Sequence, residues 1–309
     1  LASQLFDHHP PAMRVEGACA SGSLAVLAAE HALLAGQYQT VLVVGVEKMT
    51  DVCSAKATEA LSLAADQLAE AGSTFPGLYA LLARAHNNKF GTSRKQLSAV
   101  SVKNHRHALD NSLAQYHREF SLEQVSSSPI IADPLRLLDC SPLSDGASAL
   151  VLTRKKVRNK PQIIGFGHAQ DSLDLAGREQ LVGLDATVKA GKKAYQMAEV
   201  EPNEIEAAEV HDCFTIAEIM AVEDLGWFDK GQGGRAALEQ KTTWDGEIVI
   251  NPSGGLKAFG HPIGATGVKQ IAYLAEQLEK QSFELVLAHN VGGSGATAVV
   301  HILRQPKNN

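Results

Sequence analysis

Between Gly22 and Gly36 apolar residues occupy every helical face, so this stretch reads as a helix buried all round. Gly36 fits the left-handed residue that closes a helix. The β-branched run VLVVGV (41–46) reads as a buried parallel strand. Residues 51–137 break this rhythm. They hold helical patterns in LYALLARAHNN (78–88) and QLSAVSVKNHRHAL (96–109), separated by the turn-forming clusters FPG (75–77), SSSP (126–129) and ADP (132–134). An insertion at about 51–137 between two strands is the expectation. ASALVLT (147–153) resumes the strand pattern, KKVRNKP (155–161) is a polar, basic linker, and QIIGFG (162–167) opens a second strand-and-helix series.

The second series echoes the first. CASGSLAVLAAEHALLAGQYQTVLVVGV (19–46) aligns without a gap on GATGVKQIAYLAEQLEKQSFELVLAHNV (264–291), so that Ser21 meets Thr266, Gly22 meets Gly267 and Leu33 meets Leu278. DGASALVLT (145–153) finds its partner in GSGATAVVHIL (293–303). The sequence therefore predicts an α/β fold of two pseudo-symmetric, layered halves, 1–154 and 155–309, each with its own sheet. Small residues at both helix starts predict a close approach of the two helices.

Composition narrows the class. A net charge of −6 argues against nucleic acid or an anionic membrane surface as partner, and no apolar run reaches membrane-spanning length. The cysteines (Cys19, Cys53, Cys140, Cys213) lie far apart with no CxxC pair, which predicts neither a disulfide framework nor a zinc site and suits the reducing cytoplasm.

Cys19 stands at the junction VEGACASGS, just before the first helix, where unsatisfied N–H groups and the helix dipole favour a thiolate and an oxyanion. A small cysteine filling a core gap is the alternative there. The loop NPSGGLKAFGHPIGATG (251–267) surrounds His261 with glycines and enters the partner helix of the repeat, so the pseudo-symmetry predicts Cys19 and His261 in one cleft, as an activated nucleophile. EVHDCFTIAEI (209–219) puts His211, Asp212 and Cys213 at a strand-to-helix junction, where Asp212 also reads as a helix N-cap. LAHNVGGSG (287–295) puts His289 and Asn290 before a glycine turn. For the HRH cluster (105–107) with His117, a solvated helix face outweighs contact with a ligand's phosphates.

VEGACASGS, GHPIGATG and the C-terminal glycine turn resemble the thiolase family, in the same order and over essentially the whole chain. HDCF and HNVGGSG are similar to the sterol-carrier-protein type and to archaeal-type thiolases. The resemblance implies a thiolase-like α-β-α-β-α layering and acyl exchange between coenzyme A and 3-oxoacyl-CoA, with acyl-CoA as substrate and no bound cofactor or metal. It implies Cys19 as acyl acceptor, His261 as its activator, and His211 as the group that orients a thioester oxygen. Cys213 becomes the second acid/base, with His289 as the other candidate for that role. Backbone N–H groups at Cys19, Gly292 and Gly293 form an oxyanion site, and Ser253 meets the pantetheine arm. A homodimer or tetramer is expected, with a small zinc-ribbon and OB-fold protein as a further partner. Tyr79 is a candidate for the acyl pocket.

Only 18 residues precede Cys19, and the first methionine is Met13. The family pattern has a strand–helix–strand unit before the nucleophile, so a lost N-terminal unit is expected. The alternatives are a catalytically silent or partner-dependent acyl-CoA-binding subunit, and another enzyme of the fold, a ketoacyl synthase or retro-aldolase. Aldolase relatives lack the nucleophilic cysteine, which this chain keeps.

Overall fold

The computed structural model describes residues 2–305. A tight turn at Ala18–Ala20 leads into α1 (Ser21–Leu34), whose end is closed by Gly36 at φ 72°, and then β1 (Thr40–Glu47). After β1 come α2 (Ser54–Ser62), α3 (Phe75–Phe90), α4 (Arg94–His107), α5 (Leu122–Ser127) and the short strands β2 (Ile130–Ala132) and β3 (Leu135–Arg136). Their ends follow local chemistry. Thr74 caps α3, with Pro76 in its first turn, and Ser93 with Gln96 forms a reciprocal capping box on α4. β4 (Gly146–Thr153) closes the first half.

The second half runs β5 (Gln162–Gln170), α6 (Asp185–Ala198), β6 (Ala207–Glu209), α7 (Thr215–Asp224), α8 (Gly233–Leu238), β7 (Val249–Ile250), α9 (Gly255–Ala258), α10 (Thr266–Glu279), β8 (Leu285–Gly292) and β9 (Thr297–Arg304). The repeat in the sequence is a repeat in space. Ser21 to Thr266, Leu34 to Glu279, Thr40 to Leu285 and Glu47 to Gly292 each differ by the same 245 positions. β1 pairs with β4 antiparallel from Thr40↔Thr153 to Glu47↔Gly146. β8 pairs with β9 in the matching register, from Leu285↔Arg304 to Gly292↔Thr297.

The two sheets differ in extent. The second holds five strands in the order β5-β9-β8-β6-β7, while among the described residues β1 and β4 form a sheet of two. The expectation of a buried parallel strand at 41–46 is thereby corrected. β1 has an antiparallel partner, and its residues alternate between buried and exposed. A β-branched run fits either kind of ladder, and burial of its second face depends on elements the run itself does not specify.

α1 and α10 pack between the sheets. Val26 and Ala29 of α1, Val43 of β1, Val268, Ile271, Leu274 and Leu278 of α10, and Val286 and Leu303 of the larger sheet share one core. The helices meet where the glycines align. A Cβ on Gly22 would stand 2.9 Å from the Gly267 and Val268 nitrogens, and one on Gly267 would strike the Ser23 backbone. This close approach brings the N-termini of both helices, and the turns before them, to one cleft.

Candidate active site

Cys19 lies on the Ala18–Ala20 turn. Ala18 has φ 51°, left-handed backbone that costs a non-glycine residue about 1 kcal/mol or more. Glu16 and Ser21 hold it there. The Ala18 N–H donates to Glu16 Oε1 at 2.9 Å, the Ser21 hydroxyl donates to the Ala18 carbonyl at 2.6 Å, and Ser21 Oγ accepts the Gly17 N–H at 2.9 Å. Gly292, across the cleft, must lack a side chain, because a Cβ would meet the Gly17 carbonyl at 2.5 Å.

The thiol does not rest as the thiolate that its helix position suggested. Burial pushes it up to about 12, against the pull of the Gly293 N–H and its own N–H, and Glu47 and Glu16 push the same way. Desolvation outweighs the two N–H donors, and a base is needed to ionise the sulfur.

Two histidines supply candidates. One ligating atom from each of Cys19, His211 and His261 lies within 4.8 Å of the others, and the two rings stand edge to face with centroids 5.1 Å apart. Their outer hydrogen bonds set their tautomers. The Thr266 hydroxyl donates to the Pro262 carbonyl at 3.1 Å, so at 2.7 Å from His261 Nδ1 it accepts, and His261 Nε2 is left as a free base. His211 Nδ1 instead accepts from the Asn290 amide at 3.0 Å, which leaves a proton on its Nε2. Both Nε2 atoms are buried without a hydrogen-bond partner. Burial holds His261 down at about 3, helped by the Lys269 charge, and burial with neighbouring His261 holds His211 well below the usual range. Both are neutral at rest: one aims a lone pair at the cleft, the other an N–H.

Cys213 neighbours this cluster through Cys19. Its thiol is pushed well up by burial and then by the neighbouring Cys19, while the Tyr79 hydroxyl beside it pulls the other way. Tyr79 stacks on Phe214 and donates to the Gly293 carbonyl at 3.2 Å. Arg178 grips the same turn, donating to the Ser294 carbonyl at 2.9 Å and to its hydroxyl at 3.1 Å. Tyr79 and Arg178 thus fix the Gly293 N–H that points at Cys19. Nothing near Arg178 in sequence marks this role; the contact spans 116 positions.

Other expectations are corrected. Ser253 is fully buried, with its hydroxyl donating to Glu209 at 2.7 Å and its N–H donating to the same carboxyl, so it faces the protein and not the cleft. His289, the less favoured candidate for the second acid/base, has both nitrogens in internal contacts, Nε2 with Thr187 at 2.9 Å and Nδ1 with the His211 N–H at 3.5 Å, which fits the preference for Cys213 in that role. Asp212 does not cap its own helix; it accepts the N–H groups of Leu256 and Lys257 and ties the HDCF turn to the His261 loop. His105 and His107 are buried and not solvated, each held at about 3 by burial first, because α4 packs against α5, α7, α8 and α9 rather than lying on the surface. His117 donates its Nε2–H to the Asn111 carbonyl at 2.8 Å.

A thiol flanked by a free imidazole base, an imidazole N–H and backbone donors, on a duplicated α/β frame, is an arrangement that suits cysteine–histidine acyl transfer. The chain belongs to the thiolase family: a model for "Thiolase, N-terminal domain" matches residues 3–156 and one for "Thiolase C-terminal domain-like" matches residues 167–305. It is an acyltransferase of the thiolase type. It is 46% identical to an acetyl-CoA acetyltransferase of Methanothermobacter thermautotrophicus, across 98% of this chain and 83% of that protein. Sterol carrier protein 2 of Homo sapiens is 30% identical across 94% of this chain and 58% of its own length. A solved structure described as Ltp2-ChsH2(DUF35) aldolase shares the fold, with a TM-score of 0.81 at 23% identity, covering 95% of this chain and 79% of that one. No helix among the described residues is long and apolar enough to cross a membrane.

Proposed function

We propose that this chain exchanges acetyl groups between acetyl-CoA and a 3-oxoacyl-CoA through an acyl-Cys19 intermediate. The convergence of Cys19, His211 and His261 within 4.8 Å carries this reading. His261 Nε2 takes the Cys19 proton as the sulfur attacks the thioester carbonyl carbon, and returns it to the departing coenzyme A thiolate. The Gly293 and Cys19 N–H groups hold the tetrahedral oxyanion. Cys213, once its own proton has passed to solvent, removes a proton from the α-carbon of a second acetyl-CoA, and the His211 Nε2–H holds the enolate oxygen. The carbanion attacks acetyl-Cys19 and displaces its sulfur as a thiolate, which takes up a proton from solvent and restores the resting thiol. Run backwards, the same steps cleave a 3-oxoacyl chain.

The order of steps suits the neighbouring thiols. Cys19 pushes the Cys213 thiol up. Only a Cys19 thiolate opposes ionisation of Cys213, and acylation keeps that charge from forming at the step that needs Cys213 as a base. Tyr79, with its hydroxyl on the Gly293 carbonyl, borders the acyl end of the cleft.

Incubation with acetyl-CoA and peptide mass spectrometry tests the reading. An acetyl group on the Cys19 peptide is the expected result; acetyl elsewhere, or none, overturns it. All four cysteines are free, which suits a reducing cytoplasm. A homodimer through the first sheet is also proposed: the outer face of β1 and β4 exposes Leu42, Val44, Val46 and Val151. Light scattering that reports a monomer at micromolar concentration counts against it. The DUF35 component named with the aldolase neighbour supports looking for a small partner protein as well.

A further inference from the structure

We propose that the cleft also binds a thiophilic divalent cation, with zinc the ion that fits it best, and that this cation acts as a reversible brake. The ligands are the Cys19 sulfur and the Nε2 atoms of His211 and His261. One ligating atom from each of the three residues already lies within 4.8 Å of the others. Tetrahedral zinc, bonded to sulfur at about 2.3 Å and to nitrogen at about 2.0–2.1 Å, needs ligand separations of about 3.3–3.6 Å. Movements of about 1 Å close the set. Both Nε2 atoms are buried and unpartnered, so neither gives up a protein hydrogen bond to bind the ion.

The outer contacts that a metal-bound histidine needs are present. His261 Nδ1 is held by Thr266, which fixes its Nε2 as a donor to metal. His211 must move its proton from Nε2 to Nδ1. Asn290 allows this, because its Oδ1 is buried without a partner and accepts the new Nδ1–H once the amide turns over. The Cys19 S–H bond breaks, its proton passes to solvent, and a sulfur–zinc bond forms with no change of oxidation state. Three protein ligands leave the fourth position for water. The ion then holds the nucleophile and its base together, so metal binding and acylation of Cys19 exclude each other.

Cobalt(II), a spectroscopic stand-in, tests this on the full chain. One equivalent is expected to give a thiolate-to-cobalt charge-transfer band and tetrahedral visible bands, both erased by zinc. Cys19→Ser, or alkylation of Cys19 in the unmutated protein, removes the charge-transfer band. Cys53→Ser, which alters the exposed cysteine, leaves it. His261→Gln weakens binding by about tenfold or more. Zinc inhibits acetyl transfer in competition with acetyl-CoA, and a chelator restores it. Absence of the band at stoichiometric cobalt overturns the proposal, as does its survival in Cys19→Ser or equally tight binding to acetylated protein. Cobalt binding without acetylation of Cys19 would sink the acyl-transfer reading and leave this one standing; acetylation without cobalt binding does the reverse.

Discussion

The two halves share one frame and put it to different uses. Each runs turn, helix, strand, turn, strand, with strand pairs in matching register. In the second half the strand pair is the middle of a five-stranded sheet, and every residue of β8 is buried. In the first half the pair stands alone among the described residues, and β1 is exposed at alternate positions. The chemistry is divided as unevenly. In the proposed mechanism the first half contributes one reacting side chain, Cys19, on a turn that Ala18 enters in left-handed conformation. The second contributes His211, Cys213, His261 and the Gly293 N–H, each on a loop at the end of a strand or helix. Duplication supplies the symmetry that brings two helix N-termini together; divergence of the loops turns that junction into a site.

Removing one sulfur from each half breaks the comparison hardest. Cys19→Ala is expected to abolish both acylation and carbon–carbon bond exchange. Cys213→Ala is expected to leave Cys19 able to accept acetyl, while condensation and cleavage fall about 10²–10⁴-fold. Single-turnover acylation followed by mass spectrometry, set beside a condensation assay, separates the two. If Cys213→Ala keeps near-normal condensation and His289→Ala loses it, the second acid/base is His289.

The helix junction comes next. Gly267→Ala forces the Ser23 backbone to move and is expected to cost about 3 kcal/mol or more, whereas Gly22→Ala meets atoms at 2.9 Å and costs less. Denaturant titration of both variants reads the difference. Equal costs would mean that the pseudo-symmetric contact is as tight from either side.

Much of this frame is legible in the sequence because it rests on local pattern: helix periodicity, the 19–46 and 264–291 repeat, and glycine-rich turns around Cys19 and His261. The parts that escape are long-range. Arg178 and Tyr79 reach the Gly293 turn from 116 and 214 positions away. Thr266 and Asn290 set opposite histidine tautomers by contacts that motif spacing does not contain. The resting state of Cys19 misled the sequence reading for a related reason: helix position is local, but desolvation is a property of the whole packed cleft.

The inserted region offers a smaller, pH-dependent effect. His105 is buried with neither ring nitrogen bonded, and burial holds it at about 3. Between the ordinary histidine value of about 6.5 and that lower one, the unfolded chain binds the proton and the folded chain does not. This histidine therefore lowers stability as pH falls through that window. His105→Leu is expected to flatten the acid slope of unfolding free energy by up to about 1.4 kcal/mol per pH unit. Glu209, which burial raises to about 7, acts with the opposite sign and is untouched by the substitution. An unchanged slope from pH 6 to pH 4 would show that this imidazole is accessible to protons in the folded protein.

The smallest expected effect bears most directly on the difference between the halves. Leu42 and Leu287 occupy corresponding positions of β1 and β8, 245 residues apart. Leu287 is 0% exposed and Leu42 is 39% exposed. Truncating the buried one, Leu287→Ala, is expected to cost about 2–5 kcal/mol, because it loses transfer energy and leaves a cavity. Leu42→Ala in an isolated chain is expected to cost under about 1 kcal/mol, since much of its side chain already meets water. If a second copy covers the outer face of β1 and β4, that small cost grows with protein concentration, because the lost contact then belongs to the associated state. Denaturation of both variants across a range of chain concentrations distinguishes the cases. A concentration-independent cost for Leu42→Ala, with Leu287→Ala still costly, would leave the outer face of the first sheet bare and remove the support for pairing through it.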